Sequence, residues 1–244
     1  MEYFSNIIEY YDELLPIQED QGAFFTKRAM MYEQPCKLLR IGCGTATFEH
    51  TLAKLGYDVT GIDTSRELLE TAFRRKKEPS SIRFFQMSTL EITHFLKQGF
   101  YNVISCLNDN MIFIRDKTLM RKFFHDCKKL LVPGGTLILQ LLNYQRYLVE
   151  PAVKLPSRKS IRVTLSRRMW RDDDGMYFIQ YDLENGTGRI IPVIQDVEIY
   201  PIRKDEIAAF AAEAGFGKTE FFADFTGKPF SPDGSNLVCA LTAD

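Results

Sequence analysis

Apolar and polar positions in the first 142 residues follow two rhythms. Short apolar runs fall at 37–41, 58–63, 82–86, 101–106 and 136–142, and amphipathic stretches lie between them at 46–55, 65–76, 90–98 and 117–131. Apolar runs of that length predict strands buried on both faces, so the pattern predicts a parallel sheet covered by helices. Punctuation agrees: Thr64-Ser65-Arg66-Glu67 fits a capping box, and Val132-Pro133-Gly134-Gly135 is a helix stop. Residues 4–32 read as two amphipathic helices broken near Pro16, with Ile7, Ile8, Tyr11, Leu14 and Leu15 on one apolar face. From about 160 to 200 the rhythm changes: Tyr177, Ile179, Tyr181 and Leu183 share one face while Gln180 and Asp182 take the other. That alternation predicts antiparallel strands inserted into the α/β unit. A helix opens at Pro201–Glu206 and closes at Ala214-Gly215, and two strands follow near 218–224 and 236–242. The expected organisation is an N-terminal helical cap at 1–34, a core built from 35–150 and 201–244, and an inserted sheet at 151–200.

Charge narrows the function classes. Lysine plus arginine number 31 and aspartate plus glutamate 32, a balance that argues for neither a nucleic acid nor a membrane surface. One local exception is the basic run Lys154, Arg158, Lys159, Arg162, Arg167, Arg168 and Arg171, which contains Trp170 and no acid. It suits phosphate, an acidic substrate or RNA, but such a run more often forms a solvated strand face balanced by a neighbour such as Asp172-Asp173-Asp174. The five cysteines are odd in number and scattered, which fits reduced thiols rather than a disulfide framework. No signal core or membrane-length apolar run is visible, so the expected setting is the cytoplasm. His50, His94 and His125 lack partners at ligand spacing, and no metal site is expected. An inserted sheet offers an edge through which a homodimer would pair.

Chemistry concentrates at two strand ends. Gly42 and Gly44 follow the first strand, and Asp63 ends the second, 21 residues after Gly42. Two glycines allow a tight turn with backbone N–H groups open to a ligand, and an acid at the next strand end can grip two ribose hydroxyls. The strict dinucleotide pattern fails, because Thr47 stands where the third glycine would fall. The pair predicts some nucleoside-containing ligand.

Leu39–Ala46, together with Gly61-Ile62-Asp63-Thr64-Ser65 and Leu68, resembles the first two motifs of class I S-adenosylmethionine-dependent methyltransferases. Leu130–Leu137 resembles that family's junction between helix and fifth strand, and the ending after Ala214-Gly215-Phe216 resembles its last two strands. The resemblance implies a Rossmann-like, seven-stranded, mostly parallel sheet with an antiparallel last strand, plus the inserted antiparallel sheet. The insertion after strand five is similar to that of glycine/sarcosine-type and amino-sugar N-methyltransferases, which makes it a substrate lid. The implied cofactor is S-adenosyl-L-methionine, with S-adenosyl-L-homocysteine as product, and the implied partner is a small-molecule acceptor methylated on N or O. Carried over by position, Gly42, Cys43 and Gly44 face the cofactor's methionine part, and Asp63 with Thr64 takes the ribose. Met87, Ser88 and Thr89 sit at the adenine, and Cys106 and Leu107 near the sulfonium methyl. The acceptor-side candidates are Tyr11, Asn108, Asp109 and Tyr144, with Asp109 or a tyrosine as the base where one is needed. Tyr3, Tyr10, Tyr11, Phe24 and Phe25 otherwise read as N-terminal packing.

Four positions depart from the family's pattern: Arg40 and Asn102 where acids are usual, Ala46 where a third glycine is common, and Ser88 in place of an adenine-contacting Asp. Arg40 either pairs with an acid such as Asp12, Asp63 or Asp109, or meets the cofactor's carboxylate. Two alternatives to an enzyme of this class are a non-catalytic module holding S-adenosylmethionine or S-adenosylhomocysteine, and a nicotinamide-dependent oxidoreductase.

Overall fold

The computed structural model describes residues 4–77 and 81–244, so Tyr3 and the start of the expected cap lie outside the described residues. The strands are β1 (Lys37–Ile41), β2 (Asp58–Asp63), β3 (Ile82–Gln86), β4 (Tyr101–Cys106), β5 (Leu131–Leu142), β6 (Ala152–Lys159), β7 (Val163–Arg171), β8 (Tyr177–Asn185), β9 (Ile190–Ile199), β10 (Phe216–Phe222) and β11 (Asn236–Ala243). Seven of them form one sheet in the order β10-β11-β5-β4-β1-β2-β3, and the remaining four form a second sheet, β6-β7-β8-β9. β1, β2, β3, β4 and β5 run parallel, while β11 lies antiparallel to both neighbours. Every pairing in the second sheet is antiparallel. This is the α/β architecture that the apolar rhythm and the resemblance imply.

Helices α1 (Tyr11–Leu14), α2 (Gln21–Ala29), α3 (Thr47–Lys54), α4 (Arg66–Arg75), α5 (Ile92–Phe95), α6 (Lys117–Leu130) and α7 (Lys204–Ala214) cover the large sheet. Alternation along each strand sends side chains to two cores. Leu38, Val59, Val103 and Ile138 meet Phe25, Phe48, Leu52 and Leu69 on one face. Leu39, Ile62, Ile104 and Leu139 meet Phe123, Phe124, Ile207 and Phe210 on the other. α6 shows how sequence sets such a helix: the Asp116 side chain accepts from Leu119 N–H at its start, and Met120, Phe123, Phe124 and Cys127 recur at helical spacing on the buried face. The inner face of the second sheet, with Leu155, Leu165, Met169, Ile179 and Leu183, joins the second core, so the insert is packed onto the large sheet.

Some elements differ from the sequence pattern. The first predicted helix is a 3-10 segment over Ser5–Tyr10 that only becomes α-helical at Tyr11, because Ile7 leaves helical geometry at φ −129° and ψ 25°. The helix expected over 90–98 contracts to a 3-10 turn and the four-residue α5. β5 begins at Leu131 rather than 136: Leu131 pairs with Tyr101 and Thr136 with Val103, so the Pro-Gly-Gly stop becomes a bulged entry to the strand. Ser65, not Thr64, caps α4 by accepting from Leu68 N–H at 3.2 Å. The outer strands of the second sheet, β6 and β9, carry Pro156 and Pro192, a residue type at home on sheet edges. No described helix is long and apolar enough to cross a membrane.

Leu139 lies fully buried in β5 between β4 and β11. Leu139→Ala should lower the unfolding free energy by about 2–5 kcal/mol, read as a shifted urea midpoint with unchanged slope.

Candidate active site

The carboxyl ends of β1, β2, β3 and β4 meet at one edge of the large sheet, where open α/β sheets build their sites. After β1 the chain turns tightly: Gly42 N–H and Cys43 N–H both donate to Ile62 C=O at 2.9 Å. Gly42 and Gly44 take φ of +69° and +56°, conformations that favour glycine. Close approach adds a second constraint. A Cβ on Gly42 would collide with the Asn110 amide, and one on Gly44 with the Tyr11 hydroxyl. Ala46 also sits at φ +58°, so the residue standing where the family favours glycine bears a left-handed backbone; such a conformation costs an alanine about 1–2 kcal/mol.

Asp63 is tied into the same turn, accepting from Gly44 N–H at 2.8 Å and Ser65 N–H at 2.9 Å. Burial pushes its carboxyl above the usual carboxylate range, opposed by those N–H groups and by Arg40. A cavity of about 230 Å³ opens beside it. Gly42, Asp63, Thr64, Met87, Ser88 and Thr89 line its floor and wall, and Phe4, Tyr11, Asn110 and Phe113 roof it. Six of the ten residues expected to hold a cofactor therefore line one cavity, and Gly44 borders it beneath Tyr11. Ser88 caps the turn after β3, accepting from Leu90 N–H at 3.2 Å. Cys43, Cys106 and Leu107 lie in the core instead. Burial pushes the Cys106 thiol up to about 12, so it stays protonated.

Beyond β4 the chain makes a second left-handed turn, with Asn108 at φ +61° and Asp109 at +65°. Asn and Asp tolerate that region better than most residues. The buried Gln140 side chain accepts from Asn108 N–H at 2.8 Å and so fixes the turn. Asp109 Oδ1 accepts from Leu142 N–H at 2.6 Å, while Oδ2 receives Arg167 Nη1 at 3.1 Å and faces Arg158 Nη2 at 3.6 Å. Its oxygens are thus committed to one N–H and two guanidinium groups, an anchor's role rather than a free base's. Arg167 is held from behind by Pro156 C=O, which accepts from Nε at 2.8 Å and Nη2 at 2.6 Å, beside an irregularity in the β6–β7 pairing. Tyr144 is fully buried, and its hydroxyl makes no hydrogen bond.

A second, much smaller chamber of about 10 Å³ lies on the other side of Tyr11 and Asn110. Phe4, Asn108, Phe113, Arg158, Arg167 and Tyr181 help to line it. The N-terminal segment shuts it, and two adjacent acids hold that segment in place. Asp12 accepts from Thr45 and Thr47 hydroxyls and pairs with Arg75, all on the core. Glu13 pairs with Arg162 of the inserted sheet, and Asn6 Nδ2 donates to Pro192 C=O there at 2.5 Å.

The basic run is split by strand alternation. Arg167 points inward to Asp109, whereas Arg168 points outward over the Trp170 ring at 5.0 Å. Its balancing acids are Asp109 and Glu13, not Asp172–Asp174 as expected. Arg40 pairs with none of the acids expected: Nε lies 3.2 Å from Glu49 Oε1 on α3. Of the histidines, His50 Nε2 makes a 3.0 Å hydrogen bond with Ala72 C=O, and no metal-ligand cluster occurs among the described residues. Sequence reading did not single out Asn110 or Tyr181 for the site, named Asp12 only as a possible partner of Arg40, and took Arg158 and Arg167 only as members of a basic run suited to phosphate, an acidic substrate or RNA. Strand parity within 163–171 adds a signal, because it separates Arg167 from Arg168.

A model of the methyltransferase domain matches residues 38–135. A glycine/sarcosine N-methyltransferase from Halorhodospira halochloris is 25% identical over 95% of this chain and 86% of its own length. A second, from Aphanothece halophytica, is 24% identical over 92% and 83%. Among solved structures, the CcbJ methyltransferase from Streptomyces caelestis superposes with a TM-score of 0.79 at 17% identity, covering 100% of this chain and 99% of the other. CalS10, an amino pentose methyltransferase from Micromonospora echinaspora solved with S-adenosylmethionine bound, gives 0.67 at 18% identity over 98% and 97%.

Gly44→Ala should displace Tyr11 and weaken S-adenosylhomocysteine binding at least about tenfold by calorimetry, since a methyl group there has no room. Asp12 gives a pH test. Burial pushes its carboxyl up, but Arg75, Thr45 and Thr47 hold it below the usual range. Its contribution is therefore full above the unfolded carboxylate value of about 3.9 and is lost as pH falls through the lower folded one. Asp12→Asn should cost about 1 kcal/mol at pH 7, discounted for partial exposure, and the gap in Tm to the wild type should narrow as pH falls below that unfolded value.

Proposed function

Because this chain is a class I S-adenosylmethionine-dependent methyltransferase of the small-molecule type, we propose that its acceptor is a small amine carrying a carboxylate. The observation that carries the proposal is the charge of the inner chamber. Arg158 and Arg167 both face Asp109, so two buried guanidinium groups share one carboxylate and leave a net positive charge. A small anion balances that charge better than a neutral sugar does. The aromatic wall of Phe4, Tyr11, Phe113 and Tyr181 agrees with a small amine. The glycine/sarcosine N-methyltransferases at 24–25% identity have names that fit the same chemistry. Neither a non-catalytic module nor a nicotinamide-dependent oxidoreductase is favoured, since the matching domain model and the relatives are methyltransferases.

The glycine cradle and the adjoining cavity fit the cofactor, because neither glycine has room for a side chain and the cavity runs from Gly42 past Asp63 to Ser88. Gly42 and Gly44 would lie along its methionine part, Asp63 would take the ribose hydroxyls, and Met87, Ser88 and Thr89 would border the adenine. When bound, the cofactor supplies an electrophilic methyl on a sulfonium. The chain's residues have to orient the amine lone pair in line with that methyl and keep water out. Arg158 would hold the acceptor's carboxylate, Asn108 would face its amine, and Tyr11 would close the roof between the two chambers. A neutral amine needs no base, which suits a site whose Asp109 is committed to anchoring and whose Tyr11 hydroxyl is pushed up by burial.

Product S-adenosylhomocysteine should form with glycine, sarcosine or another small amino acid, and not with amino sugars or alkylamines that lack a carboxylate. Arg158→Leu should raise KM for the carboxylated acceptor at least about tenfold with cofactor affinity unchanged. Equal turnover of neutral amines, or an unchanged KM in Arg158→Leu, would rule the assignment out.

A further inference from the structure

Four residues line both chambers: Phe4, Tyr11, Asn110 and Phe113. Two are phenylalanines, so the polar side chains at this border are the Tyr11 phenol and the Asn110 amide. The amide is held in one orientation. Its Nδ2 donates to Gly42 C=O at 3.1 Å, in the space that a Cβ on Gly42 would need. Asn110 N–H donates to Leu107 C=O at 3.3 Å, where the 3-10 turn Asn110–Phe113 begins. A reversed amide would set oxygen against oxygen at Gly42, so nitrogen faces the cradle and Oδ1 is turned from it.

Oδ1 accepts no hydrogen bond from the described residues. Unlike the buried unpaired atoms of Arg40, Asn143 and Tyr144, it keeps accessible surface. On a half-buried residue that lines both chambers, that surface is within reach of a bound ligand. A ligand that displaces water there has to bring a donor, or the oxygen is left unpaired. The cofactor's reacting group is a sulfonium with no N–H. The acceptor's reacting group is an amine, which carries one or two.

We propose that Asn110 Oδ1 accepts an N–H of the acceptor amine and so turns the nitrogen lone pair toward the methyl. This rests on the reading of the two chambers as cofactor and acceptor sites. Asn108 lines the smaller chamber alone, so it does not share this place at the border. In the step, the lone pair forms the N–C bond while the C–S bond breaks and leaves its electron pair on sulfur as a neutral thioether. The nitrogen becomes an ammonium that keeps its protons, so the step needs no base. Its growing positive charge strengthens the hydrogen bond to Oδ1 toward the transition state, which puts the effect on kcat rather than on KM.

Asn110→Ala and Asn110→Asp both lose the bond to Gly42, but only the second keeps an oxygen at the border. With sarcosine as acceptor, Asn110→Ala should lower kcat at least about tenfold and change KM by less than about threefold. Asn110→Asp should recover most of that loss. Calorimetric affinities of the two variants for S-adenosylhomocysteine should agree within about threefold, since each lacks the same bond. Equal kcat in the two variants would overturn the role of Oδ1. So would an S-adenosylhomocysteine affinity that falls in Asn110→Ala and recovers in Asn110→Asp at unchanged kcat, because the oxygen would then serve the cofactor's ammonium. Wild-type turnover of an amino sugar in place of sarcosine would sink the carboxylate reading alone, and the same two variants are then scored on that amine. Wild-type protein that binds S-adenosylhomocysteine but methylates no amine would overturn both.

Discussion

The carboxylate of Asp109 joins the two sheets. One oxygen takes Leu142 N–H at the end of β5, and the other faces Arg167 and Arg158 from the inserted sheet. A buried carboxylate with that many donors is held in one geometry, and removing Asp109 itself would strand two buried guanidinium groups. The left-handed turn at Asn108 and Asp109 follows from it, because the turn alone delivers the carboxylate to Leu142 and the Gln140 side chain secures it. The position of the inserted sheet follows as well. Its inner aliphatic residues supply packing, but packing is non-directional, and the ion pair sets where the sheet rests.

The N-terminal segment completes the enclosure by a different means. A four-residue α1 has little stability of its own. Asp12 and Glu13 point to opposite sides and tie it to the core and to the insert. Tyr11, immediately before them, is thereby set over Gly44. Backbone conformation at three successive left-handed positions, Gly42, Gly44 and Ala46, gives the surface on which that tyrosine rests.

Sequence made the sheet legible because strands buried on both faces leave unbroken apolar runs, and helices leave a periodic signature with caps. The cradle was legible for a related reason. Gly42, Gly44 and Asp63 are local to two strand ends, and their spacing along the chain reflects one βαβ unit. Arg40 was legible as an oddity but not in its partner, since Glu49 reaches it from a helix whose rotation no local rule fixes to that precision. The acceptor side was mostly hidden. Arg158 and Arg167 looked like members of a solvated run, and only tertiary packing of β7 on the core turns alternate members inward. Asn110 and Asp12 matter because they meet Gly42 and Thr45 across the fold, contacts made between distant parts of the chain.

Phe4, Tyr11, Asn110 and Phe113 line both chambers, and no residue of the inserted sheet lines the larger one. On the proposed reading, donor and acceptor recognition are written on separate stretches of chain that share a four-residue border. Substitutions at Leu165, Arg167 or Tyr181 can reshape the smaller chamber while the glycine turn and Asp63 keep their surroundings. On that reading, drift in acceptor choice can accumulate on the insert with donor binding preserved, whereas change at the border alters both at once. A lineage built on this scaffold can diversify its substrates one sheet at a time.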